Sequence, residues 1–305
     1  MTDREIVSPV TLQHKTSVEE KISVEKIRDV YRSLRIDVAR FFQNIDEIEI
    51  RRCEKTGYRF YYPFGIFGDD AFYAALQDTD SDYYPEKKWE HVQALNFIKP
   101  GTSILEIGCA TGYFLSLCKE KGASTLRGLE MNTQAASQAV ASGFNVTTEM
   151  LSEHAVNNQK KYDVVCSFQV LEHIPEVHAY FTDALKCLKP GGRLIIGVPN
   201  NNPYIFKHDI YHTLNLPPHH AGIWSRESLK QAAQYFDLEP VFLRPSVLEN
   251  PKDWYLVQVA HYKKTSPFLA RLMKLVPRPL YKFVIRLLSG SIEGKTLLGV
   301  FDAKP

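Results

Sequence analysis

The segment Ile104-Leu105-Glu106-Ile107-Gly108-Cys109-Ala110-Thr111-Gly112 runs from apolar residues into a turn of small ones, and a helical stretch follows from Tyr113. Such a turn suits a ligand lying against backbone, because Gly108 and Gly112 tolerate dihedrals that bulkier residues avoid. The helix beyond it offers free N–H groups and a positive partial charge, which suit the carboxylate of an amino-acid ligand as well as a phosphate. Taken alone, this pattern also describes a plain strand–turn–helix. Glu130 adds to it: this acid ends the next strand-like run about twenty residues on, where it can accept both hydroxyls of a ribose. A nucleoside is therefore implied. Glu106 would repel a pyrophosphate, which speaks against a dinucleotide-dependent dehydrogenase and for a ligand carrying positive charge.

The other candidates for proton chemistry are histidines, whose charge changes near neutral pH. His173 closes Gln169-Val170-Leu171-Glu172-His173, at the carboxyl edge where open sheets place their sites. A polar cap on a strand-to-helix turn is the purely structural role open to Glu172 and His173. The segment NNNPYIFKHDIYHTLNLPPHHAGIWS holds His208, Asp209, His212, His219 and His220 with Tyr204, Tyr211 and Trp224. His208 and His212 have a workable metal spacing on a helix, but no thiolate or second acid fixes a site, so no metal is expected. A surface loop with scattered histidines is the plain alternative.

The elements that must position these residues alternate. SILEIG, TLRGLE, FNVTT, YDVVCSF and RLIIGVP read as strands, with helical stretches between them at YFLSLCKEKG, QAASQAVASG, LSEHA and HAYFTDALKCL. Strands spaced by short helices imply a parallel sheet with right-handed crossovers. Ser228–Phe236 reads as a helix, and PVFLRPS and WYLVQVAHY then read as two strands joined by a short loop, an arrangement that favours an antiparallel pair. Upstream, apolar residues from Val18 to Ile45 recur at helical spacing, EIEIRRCE and YRFYYP read as a hairpin, and Asp69–Leu76 and Glu86–Ile98 look helical.

The formal net charge of +2 is too small to indicate nucleic acid as a partner. Cysteines 53, 109, 118, 166 and 187 form no CxxC pair and read as reduced thiols. The first residues lack a signal-peptide core, and no run of about 18 apolar residues could span a membrane, so a cytoplasmic location is expected.

LEIGCATGYFL, GLEMN, SFQVLEHIP and LKPGGRLIIGVPN, in this order and spacing, resemble class I methyltransferases that use S-adenosylmethionine (SAM). The likeness is greatest to the ubiquinone-biosynthesis O-methyltransferase type, TEMLSEHA ahead of KYDVVCSFQVLEHIP included, and spans roughly residues 85–262. It implies an α/β, Rossmann-like seven-stranded sheet, mostly parallel with an antiparallel C-terminal hairpin. It further implies that Glu106, Gly108, Ala110 and Gly112 line the methionine end of SAM, that Glu130 takes the ribose, that Met150 and Leu151 flank the adenine, and that Phe168 covers the cofactor. Ala110 stands where the pattern usually has glycine. Some members of the ubiquinone type hold magnesium with two glutamates and the histidine of the QVLEH region. Here Gln169 occupies the first of those positions, so the metal is not expected and activity should survive a chelator. The 200–225 segment normally roofs the acceptor, and a histidine ahead of a helix-starting Trp-Ser favours His220 as the base, then His173, then His219.

RRCEKTGYRFYYP is similar to the small zinc ribbon ahead of some sugar methyltransferases, but Cys53 stands alone and no tetrahedral site can form. An aromatic hairpin packed over the core is expected, and residues 1–84 together form a lid that sets acceptor specificity. From Trp254 to Ile292 no acid occurs, while Lys263, Lys264, Arg271, Lys274, Arg278, Lys282 and Arg286 alternate with large apolar residues. Residues 263–305 are thus expected to form a basic amphipathic helical extension. It either lies on an anionic membrane surface or packs on the domain or against a second copy in a homodimer. The chain is expected to methylate oxygen on a sugar, a lipid-linked glycan or another small hydroxylated metabolite; a catalytically silent SAM-fold binding or assembly protein is the alternative.

Overall fold

The computed structural model describes residues 6–79, 88–201, 210–211, 215–248 and 251–305. A seven-stranded sheet carries the nucleotide-type motifs. It comprises β4 (Ser103–Ile107), β5 (Thr125–Leu129), β6 (Asn145–Thr147), β7 (Tyr162–Phe168), β8 (Leu188–Pro199), β10 (Leu238–Val247) and β11 (Glu293–Ala303), in the spatial order β10-β11-β8-β7-β4-β5-β6. β4 through β8 run parallel, while β11 is antiparallel to both β8 and β10. Every residue of β4 is buried, as a central parallel strand covered on both faces requires. Helices α4 (Tyr113–Glu120), α5 (Thr133–Ala141), α6 (Leu151–Asn157) and α7 (Val177–Cys187) connect these strands, as the alternating pattern implied. Asn132 caps α5, its side-chain oxygen accepting the N–H groups of Gln134 and Ala135.

The last strand of the sheet corrects the sequence-based assignment. Trp254–Tyr262 lies within helix α9 (Pro251–Thr265), and β11 is the antiparallel partner of β10. The nine-residue run of apolar and aromatic side chains carries no clean period, so composition alone does not separate strand from helix. Helix α9, with α10 (Pro267–Leu275) and α11 (Arg278–Leu288), is therefore an excursion between two paired strands, and the sheet extends well past residue 262.

The N-terminal section is only partly the helical stretch that the spacing from Val18 to Ile45 suggested. Strand β1 (Thr16–Ser23) comes first, then α1 (Val24–Ser33) and a short 3₁₀ turn at Ala39–Phe42. β1 pairs antiparallel with β2 (Glu47–Cys53), which continues through the expected hairpin into β3 (Arg59–Tyr62). The fourth strand of this sheet, β9 (Gly222–Ile223), comes from far along the chain, after His219 and His220. Leu216 and Ile223 share a core with Ile22, Ile27, Tyr31, Phe42, Ile48 and Phe72. Helices α2 (Asp70–Thr79) and α3 (Trp89–Ala94) precede the main sheet, and α8 (Arg226–Tyr235) follows β9. Among the described residues, no helix is long and apolar enough to cross a membrane.

Candidate active site

The glycine turn sits between β4 and α4 at the carboxyl edge of the sheet. Gly108, Ala110 and Gly112 all have positive φ, at 69°, 48° and 83°. Ala110 thus adopts a left-handed conformation in which a Cβ is unfavourable, which explains why glycine is usual there. Gly112 needs its small size as well: an added Cβ would stand 2.9 Å from the Phe144 ring. Glu130 clamps the turn from the end of β5. The Ala110 N–H donates to its Oε2 and the Asn132 N–H to its Oε1, both at 2.8 Å. Its carboxylate is held in place by backbone and keeps lone pairs for a diol.

Glu106 is 3% exposed, and its Oε2 has no hydrogen-bond partner in the protein. Burial raises its pKa well above the usual carboxylate range, with the nearby Lys88 charge working the other way. A buried acid with an orphaned oxygen is costly unless something cationic or hydrogen-bond-donating meets it. Met150 caps the start of α6 and is exposed, Leu151 is half-buried, and both lie just beyond β6. Phe168, at the end of β7, packs with its ring 4.7 Å from both Phe114 of α4 and His91 of α3. The side chain that approaches Gly108 is Val170: a Cβ on Gly108 would collide with its Cγ2.

The same β7-to-α7 connection that brings Val170 to the turn carries Glu172 and His173. Here the two halves of the molecule meet. His173, His219 and His220 form one cluster, with ring centroids 4.4–5.0 Å apart and ligand atoms all within 4.8 Å of one another. The His173 Nδ1–H donates to the His219 carbonyl at 2.8 Å, so its Nε2 carries the free lone pair in the neutral ring. The Tyr73 hydroxyl donates to the same carbonyl at 3.1 Å. Burial lowers the His173 pKa to about 4, partly opposed by that carbonyl, so the ring is neutral at pH 7. Glu172, buried with its Oε1 3.9 Å from His173 Nε2, is pushed up to about 8 by desolvation. His208 and His212 lie outside the described residues, as do Tyr204 and Asp209.

The pairing of the insert with the N-terminal unit fixes this cluster. The Tyr31 hydroxyl donates to the Leu216 carbonyl at 3.0 Å, the Gly68 N–H to Pro218 at 2.8 Å, and the Ala221 N–H to Glu172 at 2.8 Å. A methyltransferase-domain family profile matches residues 82–242, just over half of the chain. The chain belongs to this family. Curated relatives are ubiquinone biosynthesis O-methyltransferases. That of Klebsiella pneumoniae (strain 342) is 32% identical over 108 residues, 33% of this chain and 44% of the relative. That of Vibrio atlanticus (strain LGP32) is 25% identical over 178 residues, 54% and 68% of the two chains. The chain therefore spans less than half the length of the Klebsiella relative. In fold it is similar to a SAM-dependent methyltransferase of Archaeoglobus fulgidus, at 18% identity and a TM-score of 0.52, covering 77% of this chain and all of that one.

The cofactor of this fold is SAM, and the residues present fit it. An orphaned buried carboxylate suits a sulfonium and an ammonium, and a backbone-clamped glutamate suits a ribose diol. Magnesium fits poorly at the QVLEH turn, because the Gln169 amide donates to Glu90 Oε1 at 3.4 Å where a second acid would be needed. Two neighbours of the site were missed in the sequence. Tyr73 reaches His173 and His219 from α2, across a gap in sequence that no local pattern spans. His91, whose pKa burial lowers to about 3, packs on Phe114 and Phe168.

Proposed function

We propose that this chain transfers the methyl group of SAM to a hydroxyl oxygen of a small acceptor: a sugar, a lipid-linked glycan or another hydroxylated metabolite. The observation that carries the reading is the convergence of three histidines on the turn that also packs against the glycine loop. SAM, when bound, supplies a methyl on a sulfonium leaving group. The chain must then align the acceptor and take its proton. Glu106, Gly108, Ala110 and Gly112 are assigned to the methionine end, Glu130 to the ribose, and Met150 and Leu151 to the adenine. His220 is assigned as the base, with His173 and His219 next in order. His220 is buried against His173, and His173 itself, neutral and with Nδ1 bonded to the His219 carbonyl, keeps Nε2 to accept a proton as the second candidate. The unit formed by residues 1–84 is assigned as the lid that selects the acceptor, because Tyr73 touches the cluster directly. The test is His220→Ala: turnover should fall by about 10²–10⁴-fold with SAM binding intact by calorimetry. Full turnover in that variant refutes the assignment, and SAM binding without turnover on any hydroxylated acceptor supports a silent binding protein instead.

The helices between β10 and β11 favour work at a membrane surface. Phe268, Leu275 and Leu287 are 74%, 79% and 71% exposed, and Arg271, Lys274, Lys282 and Arg286 share those helices. A largely apolar cleft between α9 and α11 is lined by Tyr255, Leu256 and Tyr281 and rimmed by Lys252, Arg278 and Lys282. Each cation near an anionic bilayer contributes about 1 kcal/mol, and salt screens that attraction. The full chain should co-sediment with phosphatidylglycerol-rich vesicles at low salt, and Lys274→Glu with Lys282→Glu should release it. Retention in the supernatant under all conditions, with a concentration-dependent dimer, points to a second copy as the occupant.

A further inference from the structure

We propose that His173, His219 and His220 form a binding site for a first-row transition ion of zinc type. Binding requires only the geometry of the cluster; its use in methyl transfer rests on the hydroxyl acceptor proposed above, with the bound ion taking the place of His220 as the group that activates that hydroxyl.

The donor set is the first argument. Three points no more than 4.8 Å apart lie within about 2.8 Å of a common centre, and zinc–nitrogen bonds are about 2.0–2.1 Å. Side-chain rotations of under about 1 Å would close the set. Two of the rings, His219 and His220, come from adjacent residues in a tight turn, and the third comes from the sheet edge opposite. Nothing in a plain hydrophobic core calls for three imidazoles in mutual contact.

The second argument is the arrangement around the rings. A metal-binding histidine commonly donates its other ring N–H to a carbonyl, which fixes the tautomer and aims the ligating nitrogen. His173 does this, donating from Nδ1 to the His219 carbonyl at 2.8 Å and leaving Nε2 for an ion. The turn that carries the other two rings is held by the Ala221 N–H bond to Glu172 and by the His219 and His220 N–H bonds to Leu216.

The third argument is charge. Glu172 is 1% exposed, its Oε1 stands 3.9 Å from His173 Nε2, and its Oε2 has no hydrogen-bond partner. A divalent cation held among the three rings would give that orphaned carboxyl oxygen an opposite charge to face. This set differs from the oxygen-rich one that magnesium needs, so the loss of an acid at Gln169 does not bear on it. Three protein nitrogens leave a coordination position for a hydroxyl, and a zinc ion lowers the pKa of a bound hydroxyl group by several units.

The test uses the full chain, stripped with chelator and titrated with cobalt(II) and zinc(II). One equivalent of cobalt should give the visible absorption of a four-coordinate nitrogen site, displaced by zinc but not by magnesium. His219→Ala and His220→Ala should each lose at least ~100-fold in zinc affinity, and His178→Gln, remote from the cluster, should lose none. Folding of each variant is checked by its thermal midpoint. Absence of a cobalt band and of any zinc-dependent rise in the midpoint of the wild-type chain overturns the site, as does equal zinc affinity in the folded His220→Ala chain. Methyl transfer that persists in the stripped chain while cobalt still binds removes the ion from the chemistry and leaves the base assignment standing.

Discussion

Replacing Glu130 tests where the nucleoside lies. Each oxygen of this carboxylate already accepts one backbone N–H, from Ala110 and from Asn132, at 2.8 Å. Two ribose hydroxyls would add two charge-assisted hydrogen bonds, each worth about 1.5–3 kcal/mol. Glu130→Ala should therefore weaken SAM binding by roughly 3–6 kcal/mol, a loss of about 10²–10⁴ in affinity. Glu130→Gln should do little better, because the amide nitrogen must point at one of the two N–H donors. Either variant also releases the glycine turn, so binding could fall through disorder of Ala110 alone. A double-mutant cycle separates the two effects. SAM and its 2′-deoxyribose analogue are compared by calorimetry on the wild-type and Glu130→Ala chains. The wild-type chain should lose about 10–150-fold on removal of the hydroxyl, whereas the variant should lose almost nothing. A deoxy penalty of equal size in both chains would mean that Glu130 touches no ribose and serves the turn only.

Burial raises the Glu106 pKa in the free protein, and a cationic ligand favours the ionised form, so SAM binding should release a proton and strengthen as pH rises. Calorimetry in buffers of different ionisation enthalpy reads that proton, and its persistence in Glu106→Gln would refute the assignment. Ala110→Gly should stabilise the fold by about 0.5–1 kcal/mol, since the relief of a left-handed alanine exceeds the added freedom of the unfolded chain; a lower thermal midpoint contradicts this. Burial alone would raise the Asp163 pKa, but the Lys189 ammonium at 2.8 Å and the Ser103 donors outweigh it and hold the carboxyl down at about 2. Its stabilising effect is therefore complete above the unfolded-state value near 4 and is lost as pH falls through about 2. Asp163→Asn should flatten stability across that window in acid melts, and an unchanged acid limb would show that the bridge contributes nothing.

The main sheet was legible because its signals are local. A buried parallel strand is a continuous apolar run, a left-handed turn selects glycine, and an acid ends the adjacent strand, so Ile104–Gly112 and Glu130 announce their geometry within about thirty residues. The hairpin at residues 47–62 was legible for the same reason. Strand β11 was not, since its pairing with β8 and β10 depends on chain beyond an excursion of about forty residues, and apolar runs such as Trp254–Tyr262 carry no period that separates strand from helix. Residue types marked His173, His219 and His220 as candidates, and nothing in the sequence placed His173 beside the adjacent pair. That contact exists because β9 leaves the main domain to pair with β3, burying Leu216 and Ile223 in the N-terminal core and carrying the two histidines with it. Local pattern marked the glycine turn and the acid that faces it; strand pairing across more than 150 residues decided which histidines come together, because backbone hydrogen bonds between distant segments leave no periodic trace in either one.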